Sequence, residues 1–275
     1  MSPWLWVGLP VAAAIALYAR IFPGLAREWA EFPSLSHGFA IPFIAAYLIW
    51  ARRERLRVAA IRPSWWGLPL LVLGLGAFVV GMEGSEPFVA RISLPLTLLG
   101  LVLFVAGWEV FRDAWLGLAY LVFMVPLPYA TLKLVTYRSR LMDARIVAEA
   151  LGWFGVPVLR DGVMLHLPNI SLEVADDCSS IPAIAALVSL GAAYAALANR
   201  PASTRILLVA VTPFFAIGAN IVRIITTAAA AYYIGRWTLG TFYHQFNGAV
   251  TFVLTFILLL LFDTLLSRLP RRRSP

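Results

Sequence analysis

The chain has 275 residues, 61% of them hydrophobic and only 13% charged, with a mean hydropathy of +0.83 and a net charge of +8. A soluble domain averages nearer half apolar and a quarter charged, so a water-soluble fold is excluded. The apolar excess is gathered into blocks of about 17–20 residues, the length a helix needs to cross a hydrocarbon core.

Eight such blocks follow in order: Trp4–Tyr18, Phe39–Ala51, Trp65–Gly81, Ile92–Trp108, Trp115–Tyr129, Ile181–Ala198, Ile206–Ile225 and Gly248–Leu266. The second is short unless Ser36–Gly38 enters the membrane with it. No small-residue cleavage pattern follows the first block, which therefore reads as a retained helix. Trp4, Trp6, Trp65, Trp66, Trp108, Trp115 and Tyr129 sit at block ends, as an interfacial aromatic belt does. These features predict an all-α integral membrane protein: one domain over residues 1–275, a polytopic bundle of about eight transmembrane helices.

Between the fifth and sixth blocks lies the one long non-spanning segment, 131–177. From Leu132 to Phe154, Leu134, Leu141, Ile146, Val147, Ala150, Leu151 and Phe154 supply apolar positions. Lys133, Arg138, Arg140, Asp143, Arg145 and Glu149 mostly fill the other face. This predicts an amphipathic helix lying along the interface or over the bundle. From Gly162 to Val174 the period changes to two, with Val163, Leu165 and Leu167, then Ile170, Leu172 and Val174 after a Pro-Asn turn. That pattern predicts a small β-hairpin.

The basic residues are placed by side. Arg52, Arg53, Arg55, Arg57, Arg62, Arg112, Arg200, Arg205, Arg268, Arg271, Arg272 and Arg273 fall on one side of an eight-span topology. The short connections opposite hold Arg20, Arg27, Arg91 and Arg236. The positive-inside rule then predicts a multi-pass protein of the cell (inner) membrane with both termini cytoplasmic and the 131–177 segment extracytoplasmic. The charge speaks for membrane lipids as surroundings and against nucleic acid as a partner.

Three residues with chemical potential converge on that outer side. Cys178 is the only cysteine, so no intramolecular disulfide is open to it. It starts a predicted helix in Asp177-Cys-Ser-Ser-Ile-Pro182. A helix N-terminus favours the thiolate, whereas Asp176 and Asp177 disfavour it. The plainer alternative is a small apolar residue in a packing seam. Arg223, in Asn220-Ile-Val-Arg223, interrupts an apolar stretch and costs several kcal/mol there unless paired, hydrated or snorkelling. Asn220, three residues earlier, shares its face and is placed to orient it; a snorkelling anchor is the alternative. His244, in His244-Gln-Phe-Asn-Gly248, precedes the last span and is either a helix-end polar residue or a base.

A Cys–His pair beside an Arg is a complete acyl-transfer set: base, nucleophile and oxyanion stabiliser. His37, in Ser36-His-Gly-Phe39, stands at the mouth of the second span, for substrate positioning or for packing. His166 reads as an exposed strand residue, and Asn169-Ile-Ser171 as a chance sequon. No HExxH, cysteine pair or Gly-x-Ser-x-Gly elbow occurs. No metal and no other cofactor is called for.

On these residues the chain resembles the exosortase/archaeosortase family. The features run from Ser36-His-Gly38 to Gly248 and include Gly155-Val-Pro157, Arg160-Asp-Gly162, Val174-Ala-Asp-Asp-Cys-Ser179, Asn220-x-x-Arg223 and His244-x-x-x-Gly248. The resemblance implies a membrane cysteine peptidase/transpeptidase with Cys178 as nucleophile, Arg223 and His244 completing the catalytic site, and Asn220, Ser179 and His37 in support. The implied partners are C-terminal tails of secreted proteins, bearing a short Pro-Glu-Pro-like signal, a hydrophobic span and a basic end. A lipid or polysaccharide acceptor would take the new C-terminus. Where that family usually shows Cys-Ser-Gly, this chain has Cys178-Ser179-Ser180, losing glycine's backbone freedom at the third position. The rival readings are a membrane transferase acting on lipid-linked sugars or acyl chains, which needs no thiol, and a transporter or scaffold, which would need ionisable residues along a path.

Overall fold

A computed structural model describes residues 3–175 and 179–268. Asp176, Asp177 and Cys178 lie outside the described residues, as do the last seven with Arg271, Arg272 and Arg273. The chain forms two compact units, Met1–Pro128 and Tyr129–Pro275.

In the first unit, α1 (Pro3–Leu17) continues through a 3-10 turn into α2 (Phe22–Glu31), so Trp6–Glu31 is one apolar helical run of 26 residues. A 3-10 segment, Pro33–Phe39, leads to α3 (Ile41–Trp50), and the short α4 (Arg53–Val58) follows. Then come α5 (Gly67–Glu83), α6 (Pro87–Ala106) and α7 (Trp108–Tyr120). Seven of the eight apolar blocks are largely helical, whereas the fifth is helical only in its first part. Among the described residues, four helical segments are long and apolar enough to cross a membrane: Trp6–Glu31, Pro87–Ala106, Ala202–Tyr233 and Phe246–Arg268. Ser34–Trp50, Gly67–Glu83 and Ala183–Leu197 are apolar but shorter. The fifth block is displaced from its expected position. Its helix, α7, begins at Trp108 and carries Glu109, Arg112 and a buried Asp113, and it gives way to a 3-10 turn at Leu121.

Arg91 also differs from the sequence reading. It belongs to α6, not to a connection, and is 8% exposed. It forms a two-pronged ion pair with Glu28 of α2, at 2.7 and 2.8 Å, which is how a buried guanidinium is compensated. One turn further, Tyr18 of the α1–α2 run shares its hydroxyl with Ser93 and Thr97, both at 2.8 Å.

The closest helix pair in this unit is α5 against α6, made possible by residues without side chains. Gly67, Gly74 and Gly81 recur every seventh residue along one face of α5. A β-carbon at Gly67 or Gly81 would collide with the backbone of Phe104 or Ala90, and one at Gly74 would come within 2.5 Å of Thr97 Oγ1 and 2.7 Å of its nitrogen. Between apolar helices in lipid, such close backbone approach supplies the packing that the hydrophobic effect cannot.

The second unit holds α8 (Tyr129–Trp153), β1 (Leu159–Asp161), β2 (Met164–Leu167), β3 (Ile170–Glu173), α9 (Ser180–Leu197), α10 (Ala202–Tyr233) and α11 (Thr241–Arg268). The helix expected from Leu132 to Phe154 is α8, but its faces are not divided as expected, since Leu134, Ile146 and Phe154 are exposed and Asp143 is buried; the expected hairpin is β2 and β3. A third strand, β1, pairs antiparallel to β2, giving the order β1-β2-β3. All three β1 residues are exposed, so no alternation marked it. Gly162, at φ +58°, starts the two-residue turn between β1 and β2. The inward face of the sheet, Leu165, Leu167, Ile170 and Val174, closes over a stripe of α8, Ala144, Val147 and Leu151, and over Ile224, Ala228 and Ala231 of α10. Far along the helices, Asp263 of α11 accepts from Tyr194 of α9 at 2.7 Å and from Arg200 at 2.9 Å, tying that end of the unit.

Gly74→Ala is expected to force α5 and α6 apart and cost about 1–3 kcal/mol. Gly76→Ala, with nothing within 4 Å of its added carbon, is expected to be neutral. Thermal unfolding of the two variants in detergent compares them directly.

Candidate active site

At the end of the second unit opposite Asp263, α9 begins, α10 carries Arg223 and α11 begins. Asp143 of α8 stands at the centre of this end with no exposed surface. Its carboxylate accepts from the Ser180 backbone N–H at 3.1 Å, from Ser180 Oγ at 3.0 Å, from Ser139 Oγ at 3.4 Å and from Asn220 Nδ2 at 3.5 Å. Asn220 also donates to Ser180 Oγ at 3.3 Å. One carboxylate thus joins three helices, and it receives the first N–H of α9, where orphan donors and the helix dipole favour an anion. Asp143 lies in α8, outside the apolar spans. Burial pushes its carboxyl above the usual carboxylate range, and the hydrogen bonds from Ser180, Ser139 and Asn220 pull it back only in part.

Three residues earlier, and so on the same face of α8, Arg140 reaches the end of β3. Its Nε donates to the Val174 carbonyl and its Nη2 pairs with Glu173 at 2.5 Å. Arg140 and Asp143 therefore hold the chain on either side of 175–179, the segment that contains Cys178. The sequence reading assigned both residues to a polar face turned from the apolar one. The structure turns that polar face onto β3 and α9. The signal available beforehand was the i, i+3 pair of opposite charges beside Ser139 in a helix expected to lie at an interface.

Arg223 is half-buried on α10. Its carbonyl accepts from Thr226 and Thr227 at 2.9 and 2.8 Å. Its guanidinium lies against Gly248 of α11, where an added β-carbon would stand 3.4 Å from Cζ and from Nη2. Next to it, Asn247 donates to Thr227 Oγ1 at 2.8 Å, joining α11 to α10. His244 is one helical turn before Gly248 in α11; its side chain lies outside the described residues. A cavity of about 230 Å³ runs from Arg223, Ile224, Thr227 and Ala228 of α10 to Ser171–Ala175 of the third strand and its continuation.

Of the remaining site residues, Ser179 occupies the N-cap position of α9 without a capping bond, its hydroxyl buried and without a hydrogen-bond partner among the described residues. Asn220, expected to orient Arg223, has Asp143 and Ser180 as its described partners. Ser180, where the resemblance implied a glycine, uses its hydroxyl on Asp143, a bond glycine cannot make. His166 Nδ1 pairs across the sheet with Ser171 Oγ at 2.8 Å. His37 belongs to the first unit, in the 3-10 segment, and is half-buried. Its neighbour Gly38 lies flat against the indole of Trp29, whose Nε1 donates to the Met124 carbonyl at 3.1 Å.

A family model described as transmembrane exosortase (Exosortase_EpsH) matches residues 29–261, from Trp29 into α11. The chain belongs to the transmembrane exosortase family. The matched span takes in His37, Cys178, Arg223 and His244. No curated protein and no solved structure matches the chain. Exosortases are membrane proteins with a protein-sorting, transpeptidase-type role on the C-terminal signals of secreted proteins, and the apolar helices of this exosortase accord with residence in a membrane.

The native carboxyl of Asp143 binds its proton more tightly than the unfolded one. Its contribution to stability therefore falls as pH rises from about 4. Asp143→Asn is expected to remove that falling limb. Asp143→Ala leaves the buried Ser180 N–H without its acceptor, and is expected to cost about 1–3 kcal/mol. Unfolding of the detergent-solubilised protein, followed against pH, reads both effects.

Proposed function

We propose that this exosortase is a thiol peptidase/transpeptidase that cuts the C-terminal sorting tail of secreted proteins at the outer face of the membrane. In this reading the chain crosses the bilayer eight times, with both termini in the cytoplasm. Cys178 Sγ, having given its proton to His244, attacks the scissile carbonyl carbon. Arg223 stabilises the oxyanion of the tetrahedral intermediate. The C–N bond then breaks as His244 returns the proton to the leaving amine. The resulting thioester at Cys178 is resolved by an acceptor amine, an acceptor hydroxyl or water, which frees the thiol again. Ser179, Asn220 and His37 act in support.

The observation that carries this reading is the contact of the Arg223 guanidinium with Gly248, one helical turn from His244, at the end of the unit where α9 begins. Helix length supports it too. Arg223 is 21 residues into α10, about 31 Å along at 1.5 Å per residue. A helix entering the bilayer at Ala202 therefore brings Arg223 to the far boundary of a core about 30 Å thick. At that depth a guanidinium meets water and headgroups instead of hydrocarbon.

The test is processing of a secreted reporter ending in a Pro-Glu-Pro-like signal, a hydrophobic span and a basic end, co-expressed with the full chain. Cys178→Ala and His244→Ala are expected to abolish release of the tail. Arg223→Gln is expected to slow it by about 10²–10³. Full processing by Cys178→Ala, together with insensitivity to thiol alkylation, would overturn the thiol mechanism in favour of a lipid-linked transferase.

A further inference from the structure

The phase of the strand pairing fixes which backbone groups of β3 face outward. The Val174 N–H donates to the Val163 carbonyl at 3.0 Å, so Val163 and Val174 form a hydrogen-bonded pair. The register pairs Leu165 with Leu172, His166 with Ser171 and Leu167 with Ile170. Hydrogen-bonded and non-bonded pairs alternate along an antiparallel ladder. Residues 170, 172 and 174 therefore bond to β2, whereas Ser171 and Glu173 turn their N–H and C=O groups to the other edge. Among the described residues no hydrogen bond reaches these outward groups. An open strand edge is a template for another strand.

This edge borders the cavity described above. Five consecutive residues, Ser171–Ala175, line it. Alternate side chains point to opposite faces of a sheet, so a run of consecutive lining residues means that the cavity reaches the strand's edge, while Leu165 of β2 extends it beneath the inward face. Its opposite wall is α10, with Arg223 and Thr227. Beyond Ala175 the chain has three residues to Cys178, at most about 11 Å when extended.

We infer that the outer edge of β3 binds the substrate as a fourth antiparallel or parallel strand, the occupant being the extended segment that precedes its hydrophobic tail. Main-chain bonds to Ser171 and Glu173 hold that segment in register and carry it past the Arg223 guanidinium toward the Cys178 segment. The Arg140 clamp on Val174 and Glu173 fixes the end of the docking edge nearest the cysteine. The inference rests on the peptidase reading and adds where and how the peptide lies. Binding by strand addition draws its affinity from backbone groups, so one site accepts tails of differing sequence.

The experiment uses the full chain in membranes with the same secreted reporter. Ser171→Pro removes the outward N–H without touching a main-chain bond to β2, a substitution that edge strands tolerate; it also loses the hydroxyl bonded to His166. Ser171→Ala removes the same hydroxyl but keeps the N–H. Ser171→Pro is expected to slow processing about tenfold relative to Ser171→Ala. In the reporter, single residues before the tail are replaced in turn by proline and by alanine. Proline is expected to depress processing relative to alanine at every second position. Should Ser171→Pro fail to accumulate in the membrane, the reporter scan decides. A flat scan, or equal rates for the two Ser171 variants, overturns strand docking and leaves the cavity to an occupant such as an acyl chain. Cys178→Ala separates the two levels: if it processes normally the peptidase reading itself falls, and if it is inactive while the scan is flat, only the docking inference does.

Discussion

Asp143 is a carboxylate withdrawn from water, and the candidate site is organised around it. A buried polar group is tolerable only with partners, and here the partners belong to different helices: Ser139 on α8, Ser180 on α9 and Asn220 on α10. The same desolvation that makes the carboxylate costly alone makes the set mutually dependent. Arg140, one turn away, does for the strand what Asp143 does for the helix. Between these two anchors the chain passes from β3 to α9, and Cys178 lies in that interval.

The two ends of the second unit are built by different means. Near the site, small and neutral residues, Gly248, Thr227 and Asn247, let α10 and α11 approach around the Arg223 guanidinium. At the other end an ion pair, Arg200 with Asp263, is reinforced by the Tyr194 hydroxyl. The first unit follows the same logic, with an Arg91–Glu28 pair near one end and glycine-mediated contact along α5 and α6. Arg91 in α6 and Asp263 in α11 each find their opposite charge within their own unit.

His37 and Gly38 show how a motif divides its work. Gly38 has a packing role visible in the fold, since the Trp29 indole occupies the space a side chain would need. His37, beside it in sequence, is half-buried and bonds to the backbone of Ser34. Ser180 makes a similar point in reverse. The Ser180 hydroxyl, at the position where the resemblance implied a glycine, joins the bonding around Asp143.

The amino-acid sequence by itself determined that the chain enters a membrane, because apolar blocks of span length have no other stable place. It also determined where α8 and the β2–β3 hairpin lie, because periods of 3.6 and two are properties of local geometry. It marked Arg223, since a lone arginine in an apolar stretch is conspicuous without any structure. The tertiary structure decided what depends on residues far apart in the chain. The polar face of α8 could as well have met water, and only packing turned Asp143 to α9 and Arg140 to β3. β1 was illegible because three exposed residues carry no hydrophobic period, and a strand that short is defined by its partner. The burial of Arg91 rests on Glu28, 63 residues away. The length of α7 likewise escaped the composition, since a helix that starts at Trp108 carries its charges into the apolar block. Hydrophobic pattern is a local quantity, whereas the pairing of buried charges is set by which helices come to lie side by side.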